Sequence, residues 1–229
     1  MQGKSIINSN RMSMKKLFFL FAFLVGLGSS SVYAQLVKEV TLTSTNTLAS
    51  ELGADVGKVT SLKVNGLLRA EDFKTMKEQM NMLQVLDMSG VTELPKTAYW
   101  NESVREELQS IPREAFQNKL TLQKVIFSEA LEMIDEGAFS GCNNLTEFDF
   151  SKATQLRSIE YRAFYECSGL RDLDLSACTS LVGIRSNVFY RCSNLQTVNL
   201  SGCGKLSNIG TYAFRYCSSL RTVDLSNCT

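Results

Sequence analysis

The 229-residue chain carries 24 basic and 23 acidic residues, seven cysteines, one tryptophan and no histidine, and 44% of it is hydrophobic. That composition fits a folded chain, and the near-balanced charge gives it no electrostatic reason to seek nucleic acid. The absence of histidine excludes Ser-His and Cys-His catalysis and every histidine metal site.

In chain order, residues 1–34 have the layout of a cleavable export signal. Lys15 and Lys16 precede an apolar run from Leu17 to Gly28, and Val32 and Ala34 supply the small or apolar positions of a cleavage site. The run is short for a transmembrane helix, no second one follows it, and no cysteine near the cleavage point supports a lipid anchor. Because the two lysines directly follow Met14, Met14 is the expected start of translation. Without residues 1–34 the chain keeps 20 basic and 23 acidic residues, a net charge of −3. The expected destination is secreted, periplasmic or cell-surface.

Residues 35–82 read as an N-terminal cap with atypical repeats. Val37, Val40 and Leu42, and then Val59, Leu62 and Val64, have strand spacing. Between and after them, "NTLASEL" with Asn46 as its N-cap and "AEDFKTMKEQMNML" with Phe73, Met76, Met80 and Leu83 on one face predict two helices.

Residues 83–229 are governed by a repeat. Phe116, Phe139, Phe164, Phe189 and Phe214 are spaced 23, 25, 25 and 25 apart, and each opens the same phrase. Its L-x-x-L-x-L part recurs as Leu145, Phe148, Phe150; Leu170, Leu173, Leu175; Leu195, Val198, Leu200; and Leu220, Val223, Leu225. The alternation predicts a short strand with one buried face. The A-F-x-x-C-x-x-L part has helical intervals and predicts a short helical or 3₁₀ return. One unit cannot bury its apolar face, whereas stacked units can. The fold class expected is therefore an α/β repeat, a solenoid of short parallel strands with an N-terminal cap. The interval from Leu83 to Leu122 is 39 residues, which places an insertion near 95–107 that holds Tyr99 and Trp100.

The phrase "LxxIxxxAFxxCxxLxxLxLS" resembles the leucine-rich repeats of the BspA-like type, found in exported surface proteins of Bacteroides and its relatives. The stretch from Val59 to Gly90 is similar to the cap that precedes such arrays. The resemblance covers nearly all of residues 35–229 and implies a leucine-rich-repeat solenoid that binds a protein ligand, with adhesion to host extracellular or bacterial surface proteins as the typical role. Typical members are longer and carry an anchoring module after the repeats. A truncated member without independent function is thus one alternative, and a glycan-binding or glycan-processing surface protein is another.

The cysteines fall into two columns of the repeat, Cys142, Cys167, Cys192, Cys217 and Cys178, Cys203, Cys228, and are expected as buried thiols. Bridges along a column would need parallel side chains to turn toward each other, and no C-x-x-C pair or histidine supports metal. A row of strand residues, Asp87, Asp149, Asp174, Asn199 and Asp224, is interrupted by Ile126. Asp149 and Asp174 on adjacent rungs would stand about 5 Å apart, the separation of a retaining glycosidase, but the repeat produces that spacing by itself. Calcium on the row is a further alternative to an ordinary solvated face. The expectation is no enzyme, no cofactor and no metal.

With the leucines inward, the intervening residues form the candidate partner-binding face: Glu147, Asp149, Arg171, Asp172, Asp174, Gln196, Asn199, Arg221 and Asp224, together with Tyr99 and Trp100 of the insertion. Tyr165, Tyr190 and Tyr216 are expected to cover the edge of the stack. The last strand, Leu220 to Leu225, has no successor, so end-to-end self-association is also expected. The export reading predicts a mature N-terminus at Gln35. Intact-mass measurement of the exported protein checks it, and retention of residues 17–28 would mark the apolar run as an anchor.

Overall fold

The computed structural model describes residues 35–100 and 105–228, without the side chains of Trp100 and Arg105. Residues 1–34, where the export signal is expected, lie outside the described residues.

The chain starts with β1 (Val37–Leu42), α1 (Leu48–Leu52), a 3₁₀ turn at Gly53–Asp55, β2 (Ser61–Leu67), α2 (Ala70–Glu78) and β3 (Val85–Glu93). Helix α1 is capped by Thr47, not by Asn46: Ser50 N donates to Thr47 Oγ1 at 3.3 Å and Thr47 N to Ser50 Oγ at 3.0 Å. Asn46 instead closes the preceding loop, accepting from Thr43 N at 2.7 Å. Buried Asp72 accepts from Arg69 N at 2.9 Å and from Leu48 N at 2.7 Å, so one carboxylate satisfies orphan amides at the N-termini of both helices. The predicted apolar face of the second helix is buried throughout, with Met80 and Leu83 in the turn that follows α2.

Eleven further strands follow: β4 (Lys96–Trp100), β5 (Arg105–Ile111), β6 (Lys124–Ile126), β7 (Met133–Ile134), β8 (Glu147–Asp149), β9 (Ser158–Ile159), β10 (Asp172–Asp174), β11 (Gly183–Ile184), β12 (Thr197–Asn199), β13 (Asn208–Ile209) and β14 (Thr222–Asp224). They build two parallel columns of a solenoid. The first runs β1-β2-β3-β6-β8 and continues as β10-β12-β14, so the N-terminal rungs share a sheet with the first repeats. In it Phe148 stands opposite Val125, and Val198 opposite both Leu173 and Val223. The second column is β5-β7-β9-β11-β13, with β4 added antiparallel at its edge. Most strands of this column are only two residues long and end in an isoleucine, buried at Ile134, Ile159 and Ile184, which is too short for alternation to show in the sequence.

The returns between the columns are turns. They carry i→i+3 bonds of 3₁₀ type, for example Tyr165 N to Arg162 O at 3.1 Å and Cys167 N to Phe164 O at 3.2 Å. They do not extend into helices because two positions per repeat are left-handed. Glu114, Gly137, Arg162, Asn187 and Tyr212 occupy one, and Asn118, Gly141, Glu166, Arg191 and Tyr216 the other, with φ between 53° and 74°.

The core holds the stack together. Phe116, Phe139, Phe164, Phe189 and Phe214 form one file of nearly parallel rings, successive centroids 5.2 to 5.3 Å apart. Phe73 of α2 meets its first member edge-on at 5.8 Å, which locks the cap to the repeats. Beside this file, Cys142, Cys167, Cys192 and Cys217 each donate S–H to the carbonyl of the preceding turn's phenylalanine, at 3.0 to 3.2 Å. All seven cysteines are unbridged. Burial pushes the Cys142 and Cys203 thiols up to about 12, so they remain protonated donors. At the last described turn Ile209, Val223 and Leu225 are exposed.

Removing a ring from the file leaves a cavity between two fully packed turns. Phe164→Ala is expected to cost about 3 to 5 kcal/mol, measured by urea unfolding. A loss below about 1 kcal/mol would mean that the file does not bear on stability.

Candidate functional site

The first strand column presents its polar residues as two files. Lys124, Glu147, Asp172, Thr197 and Thr222 form one, and Asp87, Ile126, Asp149, Asp174, Asn199 and Asp224 the other. Glu147, Asp172, Asp174 and Asp224 are exposed, while Asp149 and Asn199 are half-buried. Neighbours within the first file are tied together: Lys124 Nζ lies 2.7 Å from Glu147 Oε2, and Thr197 Oγ1 donates to Asp172 Oδ1 at 2.6 Å.

The acidic row does a local job at the end of each strand. Asp87, Asp149, Asp174, Asn199 and Asp224 each accept from the backbone N–H two residues on, at 2.8 to 3.1 Å. This is the Asx turn that short carboxylates and amides favour, and it bends the chain off the sheet. In the repeat where Ile126 stands, Ser128 is buried and its hydroxyl has no partner among the described residues. Asp149 and Asp174 lie on strands that are not paired, since the sheet is interrupted between β8 and β10. Among the described residues no His, Cys, Asp or Glu group is arranged to hold a metal ion.

Arg171 and Arg221 flank this face, exposed and without a carboxylate partner among the described residues, and Gln196 is half-buried between them. Gln196 and Arg221 are linked through the backbone, Arg221 N donating to Gln196 O at 2.9 Å. The face is therefore mixed in charge, and its side chains change from rung to rung on a fixed backbone.

The insertion is the β4–β5 hairpin, with Tyr99 opposite Glu106 and Trp100 opposite Arg105. Tyr99 is 6% exposed and packs with Leu108 and Met133. Its hydroxyl accepts from Arg185 Nη2 at 3.3 Å, and Glu106 pairs with Arg157 at 2.8 Å. Both contacts reach down the stack, so Tyr99 anchors the hairpin against later turns and is not presented to solvent. Trp100 ends β4; its side chain, like residues 101–104, lies outside the described residues.

A third surface is the turn edge, where Tyr165, Tyr190 and Tyr216 are expected to cover the stack. Tyr165 and Tyr190 stack at 5.1 Å, Tyr216 meets Tyr190 edge-on at 5.2 Å, and Arg162, Arg191 and Arg215 spread over these rings. The tyrosines were visible in the repeat. The arginines occupy three different repeat positions, so no column in the sequence marks them.

The description "BspA type Leucine rich repeat region" belongs to the family model that matches residues 109–229 in six copies, more than half of the chain. The chain belongs to this BspA-type family. Solved structures similar to this BspA-type protein include a leucine-rich repeat protein of T. pallidum, 23% identical over 72% of this chain and 57% of that one, with a TM-score of 0.47. A leucine-rich repeat protein from Bacteroides ovatus is 24% identical over 73% of this chain and 49% of that one, TM-score 0.44. A leucine rich cell surface protein from Faecalibacterium prausnitzii is 15% identical over 73% and 51%, TM-score 0.43. The BspA-type chain spans about half the length of these proteins. No curated protein matches it. No helix among its described residues is long and apolar enough to cross a membrane.

The Asx turn at Asp149 gives this BspA-type protein a defined acid response. Hydrogen bonds from Ser151, with Lys124 nearby, hold the Asp149 carboxyl below its usual range. A carboxylate with a lowered folded value adds stability above its unfolded value and loses it as pH falls through the folded value. Asp149→Asn keeps the acceptor, as Asn199 does naturally, and is expected to reduce the loss of stability on acidification. Urea midpoints followed from about pH 6 to about pH 2 check this, and an unchanged pH profile would contradict it.

Proposed function

We propose that this chain is an exported binding protein of the bacterial surface that engages another protein through the face of its first strand column, in the manner of an adhesin. The observation that carries the reading is the contrast between inside and outside. The same phenylalanine, cysteine and leucine positions recur in successive turns, while the outward residues at one register run Lys124, Glu147, Asp172, Thr197, Thr222. A repeat that fixes its core and varies its exposed rungs places its discrimination between partners in those rungs. Membership of the BspA-type family and the signal-like residues 1–34 support export and surface location.

The residues proposed to meet the partner are Glu147, Asp149, Arg171, Asp172, Asp174, Gln196, Asn199, Arg221 and Asp224, with Trp100 at the hairpin as an added aromatic contact. Asp149, Asp174, Asn199 and Asp224 would act through their second oxygen or amide, because one oxygen already holds the turn. Arg171 and Arg221 carry unneutralised charge and contribute most to complementarity with an acidic patch. The exposed Ile209, Val223 and Leu225 offer a surface for end-to-end self-association at high concentration.

Arg171→Glu with Arg221→Glu is expected to weaken binding to host extracellular or bacterial surface proteins by at least about ten-fold, with little change in thermal stability. Trp100→Ala should weaken it separately. Surface plasmon resonance against a panel of such proteins reads both, and binding that ignores both changes would dismiss this face.

A further inference from the structure

The turn edge has a chemistry that the strand face lacks. Its last three described turns, residues 161–168, 186–193 and 211–218, hold Arg162, Arg191 and Arg215 against one acid, Glu166. Residues 35–229 carry a net negative charge, so this is a local basic strip on an acidic molecule. Arg162 lies 4.9 and 5.0 Å from the ring centres of Tyr161 and Tyr165. Arg191 lies 5.6 and 5.9 Å from those of Tyr190 and Tyr216, and Arg215 4.6 and 4.9 Å from those of Tyr212 and Tyr216. A guanidinium spread on an aromatic ring is held in place and keeps its N–H edge outward for an oxyanion. Glu166 takes one of Arg191's donors at 3.0 Å, while Arg162 and Arg215 have no carboxylate partner among the described residues.

Beside the strip is an open cleft of about 510 Å³, lined by Asn143, Glu166, Arg191 and Tyr216 together with Ser168, Ser193 and Ser218. The serines come from one repeat position, so hydroxyls recur along the cleft at the rung spacing. Ser218 Oγ bonds Ser193 O at 3.3 Å, whereas the Ser168 and Ser193 hydroxyls make no hydrogen bond among the described residues. Tyr212 and Tyr216 are each 53% exposed. Fixed cations, recurrent hydroxyls and exposed tyrosine edges together match a ligand that is at once anionic and rich in hydroxyls.

We propose that this turn edge binds an acidic polysaccharide, its carboxylate or sulfate groups on Arg162, Arg191 and Arg215 and its hydroxyls on the serine file. An acidic peptide fits less well, because a peptide laid along this edge would need free backbone groups. Here the backbone is already spent between turns: Gly141 N bonds Tyr165 O, Glu166 N bonds Tyr190 O and Arg191 N bonds Arg215 O, at 2.8 to 2.9 Å. The site is separate from the strand face and stands or falls independently of it.

The test is binding of the chain from Gln35 onward to alginate, a polyuronate, and to heparin, a sulfated polymer, with neutral dextran and poly-L-glutamate as controls. Binding to alginate or heparin and not to dextran is expected, with the tighter of the two naming the anion, and with release at about 1 M salt, where charge is screened within about 3 Å. Arg162→Gln with Arg215→Gln should lower affinity at least about ten-fold, and Ser168→Ala with Ser193→Ala should lower it further. Arg171→Glu with Arg221→Glu on the strand face should leave polysaccharide binding intact. Thermal melts establish that each variant is folded, and Arg162→Lys, which keeps the charge, serves if the glutamine variant is not. No binding to either acidic polymer, equal binding to poly-L-glutamate, or affinity unmoved by the arginine variants would overturn the proposal.

Discussion

The contact between one turn and the next is the interaction on which the rest of this molecule depends. A single repeat contributes five strand residues and a few turns, too little to bury its own apolar side chains. Stacked, each phenylalanine ring lies on the ring of the turn before, and each cysteine of the first column hands its S–H to that turn's phenylalanine carbonyl. The same turn backbones are cross-bonded, as when Phe164 N donates to Val188 O at 3.0 Å. Ring, thiol and amide thus act at the same level, and a change at one of them is felt by the two neighbouring turns.

That interior leaves the outside free to vary. The strand face and the turn edge are carried on the same turns yet differ in character. The first is a mixed field whose carboxylates also end the strands, and the second is a basic, tyrosine-lined strip beside a cleft. The hairpin adds a third element by reaching from the start of the repeats to Arg157 and Arg185, so that it braces later turns.

The first strand column, the buried cysteine files and the helical face of Phe73 and Met76 were legible in the sequence because each leaves a periodic trace. The second column left little, since two-residue strands have no period. Nor did the left-handed positions, because Glu166, Arg191 and Tyr216 stand where glycine would have signalled them. Tyr99 reads as a surface aromatic from its place in an insertion, and its packing with Leu108 and Met133 and its partnership with Arg185, 86 residues away, put it inside. The N-cap shifted by one residue to Thr47 because Asn46 is claimed by the loop before it. The polar face was placed by alternation alone, but the Asx turns that occupy its aspartates depend on backbone direction at the strand end. The arginine strip was invisible because its members share an edge without sharing a repeat position.

The central claim is that the turns are joined by a dry interior whose thiols are free and protonated. Labelling with a thiol alkylator in the absence of reductant, first on the folded chain and then after unfolding, measures this directly by intact mass. The account predicts that the folded protein labels at half-buried Cys228 alone on the timescale where unfolding exposes all seven thiols. Bridges that survive unfolding without label, or rapid labelling of Cys142, Cys167 and Cys192 in the folded chain, would contradict it.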